Sequence, residues 1–307
     1  MDGEVKKTLV IGEVLYDIFE DNGYENLGGA PFNFAFHLNK FLGNVNFISA
    51  IGQDVRGQKL IKHLKQLNFP IKHIQHLKDF QTGIVKVILA GEGIPSYNIV
   101  EDVAYDQISL TPDVSQLINE NKDLLYFGTL AQRSEVSRQT IRQIIQKTNV
   151  KIKFCDLNLR DNCFNDEIIE FSLQACTFLK INEDELAQIN KEERFGNSRE
   201  KILKNISEEY NIESICVTLG EKGSLLYSNG QTFIKVIAKE AVVDTVGAGD
   251  AFSAMLITAI LLGKEPKDAL YLASDFSSRI CQIEGAIPDN DEWYEASREE
   301  LRVISGE

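Results

Sequence analysis

The stretch Asp244-Thr245-Val246-Gly247-Ala248-Gly249-Asp250 decides the fold of this chain. It is followed by an almost wholly apolar run, Ala251 to Leu262, that stops at Gly263, which is typical of a buried helix ending on a glycine. A glycine-rich turn that leads into a helix leaves backbone N–H groups unpaired, and the helix dipole favours an anion there. The sequence therefore predicts a phosphate-sized anion hole at this turn. The preceding residues, 233–243, are expected to be extended.

Asp250 stands at the edge of the predicted anion hole. Because a carboxylate repels bound phosphate, a loop that only binds phosphate would not favour aspartate at this position. We infer that Asp250 meets the group that attacks the phosphate, as in phosphoryl-transfer enzymes. A tight turn capped by aspartate is the structural alternative. Two other phosphate loops are excluded, because the chain has no G-x-x-x-x-G-K-[ST] pattern and no G-x-G-x-x-G after its first strand.

The composition is that of a globular protein, with 307 residues, 43% apolar and 25% charged. The formal net charge of −14 disfavours nucleic acid or an anionic membrane as the main partner. No long apolar span or signal peptide occurs, and the five cysteines form no C-x-x-C pair, so we expect a cytoplasmic location. The four histidines are expected on the surface and not as metal ligands: His37, His63, His73 and His76.

Strands and helices alternate from Leu124 onward, which predicts an α/β fold with a mostly parallel sheet and helices on both faces. In such sheets, ligands bind beyond the carboxyl ends of the strands. Residues 14–20, 82–89 and 97–100 break the alternation as extended segments, with turn signals at Asp21-Asn22-Gly23 and Gly91-Glu92-Gly93. We interpret them as a small sheet that forms a lid over the site; an additional structural layer is the alternative.

Polar motifs follow several of the predicted strands. Gly28-Gly29-Ala30-Pro31-Phe32-Asn33 combines a close backbone approach with an amide suited to sugar hydroxyls, or is simply a capped glycine turn. Arg160 could clamp phosphate oxygens, or pair with Asp156 on the surface. Asn182 and Glu185 could hold hydrated Mg²⁺, or complement a helix N-terminus. Thr218-Leu219-Gly220-Glu221-Lys222-Gly223 fits nucleotide phosphates and a hairpin equally well.

In this order the motifs resemble the ribokinase-like (PfkB) carbohydrate kinases over nearly the whole chain. Asp244 to Phe252 is similar to the C-terminal signature of the family, Gly28 to Asn33 to its glycine pair, and Asn182-x-x-Glu185 to its N-x-x-E motif. The resemblance implies one domain over residues 1–307, with a three-layer α/β/α core, a mostly parallel central sheet and a small β-sheet lid. The lid would comprise residues of about 13–27 and 82–106.

Within the family, the chain most resembles bacterial fructokinases, through Gly12 to Asp17, Glu101 to Asp106, Phe127 to Ser134 and Asp156 to Arg160. This implies ATP-dependent phosphorylation of D-fructose to fructose 6-phosphate, with an alcohol group as acceptor. 2-Keto-3-deoxygluconate kinases share the A-P-x-N form and are the alternative. A non-catalytic sugar or nucleotide sensor is a third hypothesis, against which Asp250 argues.

The resemblance also implies roles for individual residues. Asp250 would accept the proton of the sugar hydroxyl, and Arg160 would bridge substrate and phosphate. The backbone N–H groups that receive the transferred phosphoryl would be those of Gly247, Ala248 and Gly249. The sugar contacts would be Asp17, Gly28, Gly29 and Asn33.

The cofactors implied are ATP and Mg²⁺, with K⁺ as a further candidate. The nucleotide would be bordered by Asn182, Thr218, Gly220 and Gly223, and Mg²⁺ would be organised by Asn182 and Glu185. Asp244 and the Gly285-Ala286 loop correspond to the region where relatives bind a monovalent cation. The expected partners are a small-molecule sugar and ATP, with neither nucleic acid nor membrane, and a homodimer through the lid.

Overall fold

The computed structural model describes residues 5–21, 23–89, 95–236 and 242–303. Within these ranges the strands, in chain order, are β1 (Thr8–Ile11), β2 (Leu15–Phe19), β3 (Glu25–Gly28), β4 (Val45–Gly52), β5 (Ile74–Leu77), β6 (Gly83–Leu89), β7 (Pro95–Ile99), β8 (Lys122–Phe127), β9 (Val150–Asp156), β10 (Phe178–Asn182), β11 (Ser214–Thr218), β12 (Ser224–Ser228) and β13 (Gln231–Lys235). The α-helices are α1 (Ala30–Leu42), α2 (Val55–Gln66), α3 (Pro112–Ile118), α4 (Glu135–Lys147), α5 (Asp166–Ala175), α6 (Glu183–Ile189), α7 (Arg199–Tyr210), α8 (Ala248–Leu261), α9 (Pro266–Ile280) and α10 (Glu292–Val303).

Nine of these strands form one large sheet, in the order β13-β12-β11-β10-β9-β8-β1-β4-β5. The strands from β11 to β5 are parallel to their neighbours, and only β12 and β13 at one edge are antiparallel. The prediction of a mostly parallel sheet is therefore confirmed. Parallel pairing aligns the carboxyl ends of the strands, so that Asn182 at the end of β10 lies opposite Thr218 at the end of β11.

Helices cover both faces of the large sheet and create two apolar cores. Successive residues of the central strands alternate between them: Leu9 and Ile11 of β1 pack in one core, and Val10 in the other. The first core contains apolar side chains of α3 to α7, and the second those of α1, α2 and α8 to α10. This is the three-layer α/β/α arrangement that the alternating pattern predicts.

The remaining four strands form a second sheet in the order β3-β2-β6-β7, with β2 and β6 parallel and the outer pairs antiparallel. All four strands fall within the two segments expected to form the lid. The hairpin signal at residues 91–93 and Asn22 of the predicted turn lie outside the described residues. We call these four strands, β3, β2, β6 and β7, the lid sheet. That the lid sheet closes over a ligand remains a prediction.

Three details differ from the expectations. Helix α8 begins at Ala248, so that Asp250 lies inside its first turn and not before it. Strand β13 ends at Lys235, earlier than the predicted extended stretch, part of which lies outside the described residues. The expectation that the histidines lie on the surface is wrong for His37 and His73, which are buried at 0% and 7% exposure. The ring of His37 packs against the rings of Phe276 and Tyr294 from α9 and α10. Along the described ranges, no helix is long and apolar enough to cross a bilayer.

Candidate active site

The first turn of α8 has the geometry of an anion-binding helix start. Gly247 precedes the helix in the left-handed conformation, with φ of 74°, and a Cβ there would lie 2.3 Å from the Cβ of Ala286. Only glycine fits this approach without strain. The N–H of Ala248 donates to the carbonyl of Thr245 at 3.3 Å, whereas helix geometry leaves those of Gly249 and Asp250 without an intrahelical acceptor.

Asp244 fixes this turn against the loop that follows α9. Its two carboxylate oxygens accept hydrogen bonds from the backbone N–H of Val246 and of Gly285, each at 3.0 Å. The structure therefore brings Asp244 and the Gly285-Ala286 loop together, as expected for a cation-binding region. The carboxylate already has a structural role there, and a bound cation remains a prediction.

Asp250 pairs with Asn33, which lies 217 residues earlier in the chain. The Asn33 Nδ2 donates to Asp250 Oδ2 at 2.8 Å, and the Asn33 Oδ1 is buried without a hydrogen-bond partner. Such an orphaned acceptor is rare in native interiors, and it suits a hydroxyl donor from a ligand. The C-terminal signature and the N-terminal glycine pair thus meet at one point.

Burial strongly affects the protonation of Asp250, which is 9% exposed. Burial, followed by repulsion from Asp156, raises the pKa of Asp250 to about 7. The hydrogen bond from Asn33 and the positive charges of Lys180 and Arg160 act in the opposite direction. A carboxyl group with a pKa near neutrality is well suited to act as a general base.

Two further carboxyl groups, those of Asp17 and Glu13, are influenced by the positive charge of Arg160. Burial raises the pKa of Asp17 on β2 to about 6 and that of Glu13 to about 7, and Arg160 lowers both. Asp17 lies against the glycine pair, because a Cβ at Gly28 would be 2.7 Å from its Oδ2. Gly29 precedes α1 as its cap residue. The alternative of a surface pair between Arg160 and Asp156 is wrong, because Asp156 is fully buried and pairs with Lys180.

Asn182 and Glu185 form a reciprocal capping box at the start of α6. Asn182 Oδ1 accepts from the Glu185 N–H, and Glu185 Oε2 accepts from the Asn182 N–H, both at 2.8 Å. Glu185 Oε1 also accepts from the N–H of Leu159 at 2.8 Å, and burial raises the pKa of this carboxyl. In the described part of the chain, no three His, Cys, Asp or Glu residues cluster as a metal site.

The segment from Thr218 to Gly223 is the tight connection between β11 and the antiparallel β12, as the hairpin alternative predicts. Thr218 and Ser224 pair across it, and the turn contains a short 3₁₀ helix, Gly220–Lys222. Thr218 lies beside Asn182, since the two are aligned in register. The proposed nucleotide contacts therefore share one edge of the sheet, but binding itself stays a prediction.

Sequence reasoning missed Lys180, which is 8% exposed and bonded to the fully buried Asp156, Nζ to Oδ1, at 3.0 Å. A signal was available, because Lys180 interrupts the otherwise apolar strand Phe178–Asn182, and a buried lysine requires a partner. The buried Glu13 was missed as well. It follows the short apolar strand β1, where one acid carries little pattern information.

His37 has a structural role that its helix position did not predict. Its Nδ1 lies 2.8 Å from the Tyr294 hydroxyl and its Nε2 lies 3.0 Å from the carbonyl of Ala286. Burial lowers the pKa of His37 to about 4, so the ring is neutral near pH 7. Nε2 then donates to Ala286 and Nδ1 accepts from Tyr294, which connects α1 to the loop against Gly247.

These features form a candidate site at the carboxyl edge of the parallel sheet, in a ribokinase-like α/β fold. Residues 10–293 match the pfkB family of carbohydrate kinases. The chain belongs to this family and is a sugar kinase, a phosphotransferase with an alcohol group as acceptor.

Three relatives illustrate the similarity. An uncharacterized sugar kinase of Pyrococcus horikoshii is 30% identical over 270 residues, 82% of this chain and 81% of that protein. Its structure in complex with ATP aligns with a TM-score of 0.79, covering 96% of this chain and 99% of that one. An ATP-dependent 6-phosphofructokinase of Thermoanaerobacterium thermosaccharolyticum is 28% identical, over 94% and 92% of the two chains. A fructokinase of Salmonella typhimurium is 27% identical, over 85% and 87%.

Proposed function

We propose that this protein is an ATP-dependent fructokinase that converts D-fructose to fructose 6-phosphate. The observation that carries the proposal is the contact between Asp250 and Asn33 at the start of α8. It supports a base that receives the proton of the sugar hydroxyl, beside an orphaned amide oxygen that accepts from another hydroxyl. The sugar oxygen then attacks the terminal phosphorus of ATP, and ADP leaves.

The transferred phosphoryl would be stabilised by Arg160 and by the amides of the turn at Gly247, Ala248 and Gly249. The N–H of Ala248, which donates to the Thr245 carbonyl at 3.3 Å, would be shared between that carbonyl and the phosphoryl. Phosphoryl transfer depends mainly on positioning and charge stabilisation, and both are available at a helix N-terminus. ATP as the donor is supported by the ATP complex of the Pyrococcus relative. We assign the nucleotide to the adjoining edge formed by Asn182, Thr218, Gly220 and Gly223.

Mg²⁺ fits the residues present only as a partly hydrated ion. It commonly binds through one or two carboxylates together with substrate phosphates, and keeps several waters. Glu185 accepts two backbone N–H groups but retains further lone pairs, so it would hold the ion with Asn182 through water. When bound, Mg²⁺ would neutralise charge on the nucleotide phosphates. K⁺ would lie near Asp244 and the Gly285-Ala286 loop.

The charge of the site favours one class of sugar. Sequence similarity does not distinguish the candidates, because a 6-phosphofructokinase and a fructokinase are 28% and 27% identical to this chain. The charge of Arg160 lowers the pKa of Glu13, of Asp17 and of Asp250, and we assign the sugar to this group of carboxyls. Three carboxyl groups disfavour a substrate that carries its own anionic group, such as a sugar phosphate or a keto-acid. A neutral hexose has no such conflict and offers several hydroxyl donors.

The lid sheet and the setting of the protein complete the proposal. Asp17 lies on β2 of the lid sheet, so lid closure would bring the sugar contacts together. Ile88 and Tyr97 of this sheet are 43% and 58% exposed, which supports a homodimer through it. All five cysteines are free thiols, which supports a cytoplasmic setting.

A coupled assay of ADP release on a panel of sugars tests the proposal. The panel comprises D-fructose, D-ribose, fructose 6-phosphate and 2-keto-3-deoxygluconate. We expect the highest kcat/KM with D-fructose. A higher value with the keto-acid or the sugar phosphate would replace the fructose assignment. Turnover at background level on every sugar would instead favour a non-catalytic sensor.

A further inference from the structure

A buried ion pair lies beneath the first turn of α8 and has no role in the mechanism above. Lys180 Nζ donates to Asp156 Oδ1 at 3.0 Å, and the two residues are aligned on the adjacent parallel strands β10 and β9. Lys180 is 8% exposed and Asp156 is fully buried. Burying two charges is expensive unless both are well paired, so this pair calls for an explanation beyond stability.

The pair makes direct contact with α8. The Ser253 hydroxyl lies 3.2 Å from Asp156 Oδ2 and 2.9 Å from the carbonyl oxygen of Gly249. A Cβ placed on Gly249 would be 3.5 Å from Lys180 Nζ. The ammonium group therefore lies directly below the glycine turn, and Ser253 connects Asp156 to the same turn.

Lys180 also remains charged in this position. A buried ammonium group is stable when it is paired with a carboxylate, and Lys180 Nζ lies 3.0 Å from Asp156 Oδ1. Lys180 therefore gives the site a buried positive charge in addition to that of Arg160, which is exposed to solvent.

Asp250 lies between opposing charges at this point. Asp156 repels it, whereas Lys180 and Arg160 attract it, and Asn33 donates a hydrogen bond. The titratable groups that face Asp250 from the surrounding elements are Glu13 after β1, Tyr126 on β8, Asp156 on β9, Arg160 after β9 and Lys180 on β10. Without Lys180, the repulsion between Asp250 and Asp156 would be opposed mainly by Arg160, which is exposed to solvent.

We propose that Lys180 is a positioning residue of the kinase site, which neutralises Asp156, holds the first turn of α8 and keeps Asp250 ionised as the base. The inference rests on the proposed role of Asp250 in sugar phosphorylation. Lys180 acts through Asp156 and Asp250, not by contact with the sugar.

The test is the pH dependence of kcat/KM for the preferred sugar, measured for Lys180→Met, Asp156→Asn and the double variant. In Lys180→Met the acidic limb should move to higher pH by about one to three pH units, since an opposite charge nearby has been removed. Asp156→Asn should move the limb to lower pH. The double variant should return it towards the wild-type position, because attraction and repulsion are lost together.

Lys122→Met is the matched control. Lys122 is also buried, at 3% exposure, and also pairs with an acid, Glu120, but at the opposite end of strand β8. It should leave the acidic limb unmoved, whatever its effect on the thermal midpoint. Circular dichroism establishes which variants fold, and the double variant, without an unpaired buried charge, remains informative if Lys180→Met does not fold.

Two results would overturn the inference: a folded Lys180→Met variant with the wild-type limb, or a double variant in which the limb is displaced as far as in Lys180→Met. The first would reduce Lys180 to a stabilising residue. Failure of the proposed function is distinguishable, because it is read from the wild-type protein on the sugar panel: the protein would then prefer a sugar other than D-fructose or phosphorylate none of them, whereas the present inference is read from the shift of the acidic limb between variants on whichever sugar is preferred.

Discussion

Helices α6 and α8 each carry an acid as their third residue, Glu185 and Asp250, and an asparagine bonds to each acid. In α6 the asparagine is Asn182, directly before the helix, and acid and amide satisfy the backbone of their own first turn. In α8 the residue before the helix is Gly247, which has no side chain, and the asparagine is Asn33 from α1. With an asparagine before the helix, the acid bonds to the backbone of its own first turn; with a glycine there, the acid bonds instead to a side chain from another helix.

The two acids are similarly buried but differ in their surroundings. Glu185 and Asp250 are 4% and 9% exposed, and burial raises the pKa of each. Glu185 accepts hydrogen bonds from two backbone N–H groups, whereas Asp250 accepts one from a side-chain amide, that of Asn33. Glu185 therefore serves the backbone around α6, while Asp250 can take up a proton without releasing a backbone group.

Asp250→Asn should have the largest effect on activity, and it tests most directly whether Asp250, unlike Glu185, acts on the substrate. A positioned base contributes about 10²–10⁴-fold to rate, so kcat should fall by that factor. ATP affinity should change little, and the thermal midpoint should not fall, because a buried charge has been removed. Steady-state kinetics, ATP titration calorimetry and thermal unfolding measure the three effects. Turnover within a few-fold of wild type would show that Asp250 is not the base.

Asn33→Ala should have the next largest effect, through the pKa of Asp250. A hydrogen bond to a charged group stabilises it by about 1.5–3 kcal/mol, so losing it should raise this pKa by about one to two pH units. Asp250 must be ionised to accept a proton. The acidic limb of kcat/KM, expected near pH 7 in wild type from the pKa of about 7, should therefore move to higher pH. An unmoved limb would contradict the contact.

The fold could be predicted from sequence because its signals are local. Alternation of apolar strands with amphipathic helices predicted the parallel sheet, and the apolar run after Asp250 predicted a helix buried on nearly all sides. The boundary error at α8 has a physical cause. The glycine and alanine residues of the first turn lack helix-specific side chains, so only the backbone shows that the helix begins at Ala248.

The site could be predicted only in part, because its contacts join distant segments. Gly247, Asp250 and Asn33 stand in motifs, but nothing local indicates that Asn33 donates to Asp250. His37 and Lys180 are buried because elements from elsewhere in the chain pack against them. Their partners are Tyr294 of α10 and Asp156 of β9. A polar residue on an amphipathic helix, such as His37, gives the same sequence signal whether it faces solvent or a buried partner. Lys180 in its mostly apolar strand indicates burial, but nothing local indicates that Asp156 is its partner.

Glu185→Ala tests the role of the acid in α6, and we expect it mainly to lower the free energy of unfolding. It removes the acceptor of two partly buried N–H groups, those of Leu159 and Asn182, and a hydrogen bond to a charged group contributes about 1.5–3 kcal/mol. Denaturant unfolding measures this loss, with Glu185→Gln, which keeps one acceptor, as the matched control. Because Leu159 precedes Arg160, kcat should also fall, but less than in Asp250→Asn. A magnesium titration of both variants tests the metal role separately.

Asn182→Ala should have the smallest effect and is the counterpart of Asn33→Ala. Replacing an N-cap asparagine by alanine costs about 0.5–2 kcal/mol of stability, because an N–H of the first turn loses its acceptor. The acidic limb of kcat/KM should stay where it is in wild type, since Asn182 bonds to Glu185 and not to the base. Denaturant unfolding and a pH profile measure the two effects. If Asn182→Ala moved the limb as far as Asn33→Ala does, the first turns of α6 and α8 would not have separate roles, and the N-cap residue would not be what distinguishes them.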